Sequence, residues 1–296
     1  MEDLSLSALG SLCALGSALT WALTSLLVRT LNPHFNSVAV NALRTTASGA
    51  LLLAWILVDR GAGELLAISW PSLLLLGFSI IVAIGIGDTV FFESTRRLGL
   101  GRGMTIAMAY PLVAAGLAAV FLDEVITPQI AVGSLVTLAG LALIVLSRRD
   151  EALAGDGWWL GVGGALLAAV AWGISSIMLK APLNEVDPVT AQAVRLPLAG
   201  ALLFATPWAR GAVRTLGTSA GPVVWRMTAL SLLTALSSVL FVTALKYSGV
   251  AMATVLSSTA PMFAIPLGLL FLGERVTLRP IVGATLAVAG IAVLQL

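Results

Sequence analysis

Residues 109–144 recur at residues 259–294 with a fixed offset of 150. Pro111 falls on Pro261, Glu124 on Glu274, Gly133 on Gly283 and Gly140 on Gly290. From Phe121 to Ile144, nine of 24 positions are identical. Upstream, at an offset of 151, Gly10 matches Gly161, Trp21 matches Trp172, Arg44 matches Arg195 and Gly49 matches Gly200. Phe91 and Phe241, and Gly99 and Gly249, return to an offset of 150. A chain that copies itself once is built from two halves of like design, here residues 1–150 and 151–296.

Composition decides the solvent. The chain is 59% apolar and 10% charged, against about 45–50% and about 25% in soluble domains. A soluble protein of 296 residues could not hide this much apolar surface; a bilayer can. The first apolar run follows the acidic start Met1-Glu2-Asp3, whereas a secretory leader starts basic, so that run reads as a spanning helix and not a cleavable signal. Cys13 is the only cysteine, which excludes an internal disulfide and a cysteine-based metal site. The net charge is +2 with no basic stripe, so no nucleic-acid partner is expected.

A spanning helix needs about 20 mostly apolar residues. Such helices are predicted at 7–29, 36–57, 71–95, 103–122, 128–147, 158–180, 187–208, 222–247, 250–272 and 278–296. Five fall in each half. Five is odd, so the halves have opposite orientations. The expected fold is an all-α integral membrane protein, with ten transmembrane helices arranged as two inverted five-helix repeats around a central cavity. Many transporters are built this way.

Charge placement points to the same topology. The predicted connections after the odd-numbered helices carry Arg29, Arg96, Arg97, Arg102, Arg148, Arg149, Arg210, Arg214, Arg226, Arg275 and Arg279; the opposite side carries Arg60, Lys180 and Lys246. Short loops rich in Lys and Arg stay cytoplasmic, so both termini are expected outside the cytoplasm. Val125 and Gln129 become Arg275 and Arg279 in the second copy, on the side that inversion moves to the cytoplasm.

Ala18-Leu19-Thr20-Trp21 is echoed by Ala169-Val170-Ala171-Trp172, and Arg44 by Arg195. Pro111 is echoed by Pro261, and Phe121-Leu122-Asp123-Glu124 by Phe271-Leu272-Gly273-Glu274. In order and in duplicate, these pieces resemble the EamA-type members of the drug/metabolite transporter superfamily over nearly the whole chain. The resemblance implies a secondary transporter of the inner membrane, an exporter of small metabolites, working by alternating access. Amino acids, aromatic ones among them, are the leading substrates. Nucleotide sugars, sugar phosphates or drugs are the alternative cargo, and a non-transporting membrane subunit is the alternative role. The superfamily's small multidrug members bind cations through an acid in the first helix; the matching helices here have none.

Candidate site residues follow from placement. Trp55, Trp70, Trp158, Trp159, Trp208 and Trp225 fall near predicted membrane edges, where amphipathic rings belong. Trp21 and Trp172 lie inside their helices, as walls of a cavity or as packing. Arg44 and Arg195 are charges at membrane depth, which usually face the protein interior. One of them binds a substrate carboxylate, or they snorkel or bond to backbone carbonyls. Asn41, Arg44, Thr45 and Ser48 share a helix face, and Gln192 with Arg195 repeats part of it. Pro111 and Pro261 mark helix hinges, because proline frees the carbonyl four residues earlier. Tyr110, Ser257, Ser258 and Thr259 stand beside those hinges as candidates for substrate hydrogen bonds or as caps of their own backbone. Glu93 pairs with Arg97 at i, i+4. Asp88 has no such neighbour, and carries a coupling proton or bonds a neighbouring helix. The Gly133/Gly140 and Gly283/Gly290 pairs serve close helix packing. The one histidine, His34, sits in a predicted loop, and no Cys/His/Asp cluster has metal spacing. No enzyme activity, cofactor or metal is expected. The expected partners are a small-molecule substrate, the lipid bilayer and protons, with a monomer sufficient.

Overall fold

A computed structural model describes residues 2–121, 128–146, 157–274 and 278–293. Among them all regular structure is helical. The first half contains α1 (Glu2–Leu31), α2 (Ser37–Asp59), the single turn α3 (Gly63–Leu66), α4 (Trp70–Ile80), a π-helix (Ile81–Asp88), α5 (Thr89–Leu98), α6 (Leu100–Ala107), α7 (Tyr110–Phe121) and α8 (Pro128–Leu146). The second contains α9 (Trp158–Met178), α10 (Pro182–Glu185), α11 (Pro188–Phe204), α12 (Ala212–Gly217), α13 (Gly221–Ser257), α14 (Ala260–Leu272) and α15 (Leu278–Val293). Leu122, Asp123, Glu124, Arg148, Arg149 and Arg275 lie outside the described residues.

Each predicted span overlaps a helix or a run of helices. By length and apolarity, seven described helices can cross a membrane, and the bent pair Pro188–Phe204 and Pro207–Gly217, turned by 89°, makes an eighth. α15 is a shorter apolar helix. Helix starts follow capping chemistry. Asn36 accepts from the Ala39 N–H at 2.8 Å. Its repeat mate Asp187 accepts from the Val189 N–H at 2.9 Å and more loosely from Thr190. A side-chain oxygen there satisfies an amide that the helix leaves orphaned.

The structure departs from ten simple rods in three ways. The predicted helix 71–95 widens into a π-helix over Ile81–Asp88. The predicted prolines break their helices rather than bend them. One helix stops at Ala107 and the next starts at Tyr110; the other stops at Ser257 and the next starts at Ala260. In both breaks the i→i+3 bonds have the same pattern, Ala109 N to Ile106 O and Thr259 N to Leu256 O, each 3.2 Å. Finally, the predicted gap between 247 and 250 is a sharp kink at Gly249 (φ 79°, ψ 165°), matching Gly99 (φ 86°, ψ 162°) between α5 and α6. Positive φ is open to glycine without the Cβ clash.

Close packing is reciprocal between the halves. α2 lies on α11, where a Cβ at Gly49 would strike Pro197 and one at Gly200 would strike Thr46. α8 lies on α15, where a Cβ at Gly140 would strike Ala287 and Gly283, and one at Gly290 would strike Thr137 and Gly133. Residues 46/197, 137/287 and 133/283 are repeat mates. Small residues let backbones meet at this range.

Charges collect at two ends. At one, the Arg29 guanidinium donates to Thr95 O at 2.9 Å and lies 3.6 Å from Glu274, which accepts the Leu100 N–H at 2.7 Å. There Glu93 takes both Arg96 and Arg97. At the other, Arg60 meets Asp187 at 2.6 Å and Lys246 donates to Val186 O at 2.9 Å. Trp55, Trp70, Trp159, Trp208 and Trp225 are exposed. Trp158 is instead buried, with the Arg102 guanidinium 5.6 Å over its ring.

Candidate functional site: a cavity with two arginines

A cavity opens between the two halves, walled by α1, α2, α4, the π-helix, the start of α7, α9, α11 and α13. Its volume is about 140 Å³. Spacing explains which side chains reach it. Thr234, Ser237, Ser238 and Phe241 on α13 stand at i, i+3, i+4 and i+7, which is one helix face. Trp172, Ser175 and Ser176 do the same on α9.

Arg44 is 1% exposed. Its Nε donates to Asn41 Oδ1 at 2.9 Å and its Nη1 to Thr234 Oγ1 at 3.1 Å, while Nη2 pairs with Asp88 Oδ2. The other Asp88 oxygen accepts from Trp172 Nε1 at 2.9 Å. The guanidinium also lies over the Trp21 and Phe92 rings, at 5.7 and 5.0 Å, where the ring quadrupole attracts a cation. Arg44 therefore neither snorkels nor leans on backbone carbonyls. The π-helix helps to seat this cluster: the Ile84 carbonyl accepts from Asn41 Nδ2 at 2.9 Å, and Asp88 ends the widened segment.

Arg195 is also buried, with different company. Its Nη1 donates to Gln192 Oε1 at 2.9 Å, its Nε to Ser79 Oγ at 3.1 Å and its Nη2 to Ser175 Oγ at 3.3 Å. All three acceptors are neutral.

Aromatic rings complete the wall. Trp21 and Trp172 meet edge to face with centroids 5.6 Å apart. Tyr110 approaches Trp172 at 6.3 Å and Phe241 at 6.5 Å. The Tyr110 hydroxyl donates to Thr254 O at 3.1 Å, tying one broken helix to the other. Ser17 and Ser257 share a 2.9 Å hydroxyl contact.

Of the candidates named from sequence, Trp21, Arg44, Asp88, Tyr110, Trp172, Gln192, Arg195 and Ser257 lie on this one wall. Asn41, Ser258 and Thr259 do not. Asn41 is fully buried behind Arg44, and the Ser258 and Thr259 hydroxyls turn back onto Val255 O and Leu256 O. Pro111 and Pro261 sit just past the helix breaks, off the wall. Sequence reasoning missed Ser17, Ser175, Ser176, Thr234 and Ser237; the helical spacing of the α13 and α9 sets was the signal available. Among the described residues, no three His, Cys, Asp or Glu side chains converge as a metal site would require.

A model of the EamA-like transporter family matches the chain twice, over residues 8–146 and 159–296. The chain belongs to that family. An uncharacterized transporter of Archaeoglobus fulgidus is 25% identical over 285 residues, covering 96% of this chain and 97% of that one. An uncharacterized transporter of Bacillus subtilis, YvbV, is 27% identical over about half of each chain, 51% and 50%. One solved crystal structure superposes with a TM-score of 0.68 at 18% identity, over 96% of this chain and 94% of that one, which establishes a shared fold. As an EamA-like transporter the chain is an integral, multi-pass membrane protein that moves small molecules, and it is not an enzyme. Its cavity is lined by aromatic faces, hydroxyls and two buried guanidinium groups.

Proposed function

We propose that the chain is a secondary transporter that exports small metabolites, amino acids foremost, across the inner membrane by alternating access. The observation that carries this reading is the cavity itself. It is amino-acid sized, lined by both halves, and holds one arginine neutralised by Asp88 beside another that is not. The direction of transport and the amino-acid class rest on the family resemblance. In this reading ten helices form two inverted repeats. The matched contacts Gly49–Pro197 and Gly200–Thr46, and Gly140–Ala287 and Gly290–Thr137, support it, because a two-fold relation repeats each contact between the repeat mates. In this reading a monomer suffices.

Asp88 is the candidate for proton coupling. It is faced by Arg44, Trp172 and, from further off, Arg195. A proton on it would release Arg44 and Trp172 together.

Purified protein in liposomes, loaded with an equimolar mixture of amino acids, nucleosides and sugars, tests the reading. Amino acids should leave faster than from equally loaded liposomes without protein, and Asp88→Asn should remove any dependence on a pH gradient. Efflux of nucleosides or sugars alone overturns the substrate class. No efflux at all overturns the transport role.

A further inference from the structure

The two cavity arginines are repeat mates, and so are Asn41 and Gln192, three residues before each. Each guanidinium spends one N–H on that amide at 2.9 Å. Beyond this the halves diverge. Arg44 meets the carboxylate of Asp88. The repeat mate of Asp88 is Ser238, a cavity residue whose hydroxyl donates to Ala235 O at 3.0 Å. Arg195 is left on neutral hydroxyl and amide oxygens, with no carboxylate at ion-pair distance among the described residues. Arg44, Asp88 and Arg195 together give the cavity one net positive charge.

The tryptophans diverge the same way. Trp172 Nε1 donates to Asp88 at 2.9 Å. Its repeat mate, Trp21 Nε1, is buried with no hydrogen-bond partner. A buried N–H without an acceptor costs free energy. Asp88 of the first half thus answers an arginine of its own half and an indole of the other. In the mirrored set, Arg195 and Trp21 are kept, and the carboxylate has been replaced by Ser238.

We propose that the transported solute supplies that carboxylate. It binds Arg195 and the Trp21 N–H beside Ser238, taking against them the place that Asp88 takes against Arg44 and Trp172. Resting on the transporter reading above, this names the chemical class of the cargo: a small monocarboxylate, amino acids included. A guanidinium takes a carboxylate through charge-assisted, often two-pronged hydrogen bonds. A phosphate monoester brings about two negative charges to a cavity with one net positive charge, so it fits less well. The duplication also explains why both arginines persist: one is held by the protein's own acid, the other by the cargo's.

The test uses two readouts on the full chain. Binding is read from intrinsic tryptophan fluorescence in detergent, and flux from liposome efflux. The probes are L-leucine and L-phenylalanine, their amides, and glucose 6-phosphate. The variants are Arg195→Gln, Trp21→Phe and Ser238→Asp. The last places a carboxylate on the cavity wall at the repeat mate of Asp88, where the serine hydroxyl bonds only its own helix. The free acids should bind about tenfold or more tightly than the amides. Arg195→Gln and Ser238→Asp should each abolish that preference while circular dichroism still reports a folded chain, and Trp21→Phe should weaken it. The proposal is overturned if the amides bind as well as the acids, if folded Ser238→Asp keeps wild-type affinity for the acids, or if glucose 6-phosphate is the preferred ligand. Acids that bind through Arg195 yet never cross the liposome membrane leave this assignment standing and remove the transport role instead. Flux that ignores the carboxylate does the reverse.

Discussion

Arg44 and Asp88 form an ion pair at membrane depth, 1% and 6% exposed, that joins α2 to the π-helix. Taking two charges out of water is costly, and removing one partner leaves the other buried and unpaired. Arg44→Met or Asp88→Leu alone should therefore destabilise the protein by about 3–5 kcal/mol. The double variant should recover much of that loss. Thermal unfolding in detergent of the four proteins measures the coupling. Strictly additive losses would mean that the pair is not a unit.

Trp21 and Trp172 face the cavity, whereas Trp208 is 64% exposed at an end. Trp21→Ala and Trp172→Ala should each lower efflux by about fivefold, the scale of one aromatic contact, and Trp208→Ala should leave it near wild type. Initial rates at matched protein density check this. Equal small effects at all three positions would reduce the inner pair to packing.

The internal echo makes much of this site legible in the sequence alone. It pairs Arg44 with Arg195 and Trp21 with Trp172, and these four share one wall. Helical spacing places Asn41 beside Arg44 but does not reveal that Asn41 stands behind it, holding Ile84 O. Ser258 and Thr259 look available because they precede Pro261; the helix break they form instead spends their hydroxyls on their own backbone. The partners of Asp88 come from α2 and α9, far away in sequence, and the π-helix that ends at Asp88 has no periodicity signature. Residue spacing along one helix reads faces well and partners between helices poorly.

Gly140 and Gly290 each stand where a Cβ would meet the backbone of the facing helix, and backbone cannot move aside cheaply. Gly140→Ala and Gly290→Ala should each cost about 1–3 kcal/mol through overpacking. Gly217→Ala meets nothing within 4 Å and should be silent. Melting temperatures in detergent distinguish these, and a silent Gly290→Ala would contradict the close α8–α15 contact.

Acid should loosen the end that carries Asp187. Burial alone would raise its carboxyl, but the Thr190 hydroxyl, the Thr190 and Val189 amides and Arg60 outweigh burial and hold it below the ordinary aspartate value. A group depressed in the folded state stabilises fully above its unfolded value, near pH 4, and loses that contribution as pH falls through the lower folded value. Wild type should thus lose melting temperature from pH 6 to about pH 3 more steeply than Asp187→Asn. Parallel acid curves would show that Asp187 contributes nothing to this end.

The distribution of arginine bears on orientation. Arg29, Arg96 and Arg97 gather at the end shared with Glu274, and Arg60 and Lys246 at the end shared with Asp187 and Val186. The retention of short basic loops in the cytoplasm then predicts the Glu274 end inside and both termini outside. A phosphatase fused after Leu296, active only beyond the inner membrane, should be active, and a fluorescent protein that matures only in the cytoplasm should stay dark at the same junction. A second fusion after Arg97 should give the opposite pair of signals, because one membrane crossing separates the ends. A bright C-terminal fusion with an inactive phosphatase would reverse the orientation while leaving the two charged ends, and the cavity between them, as they are.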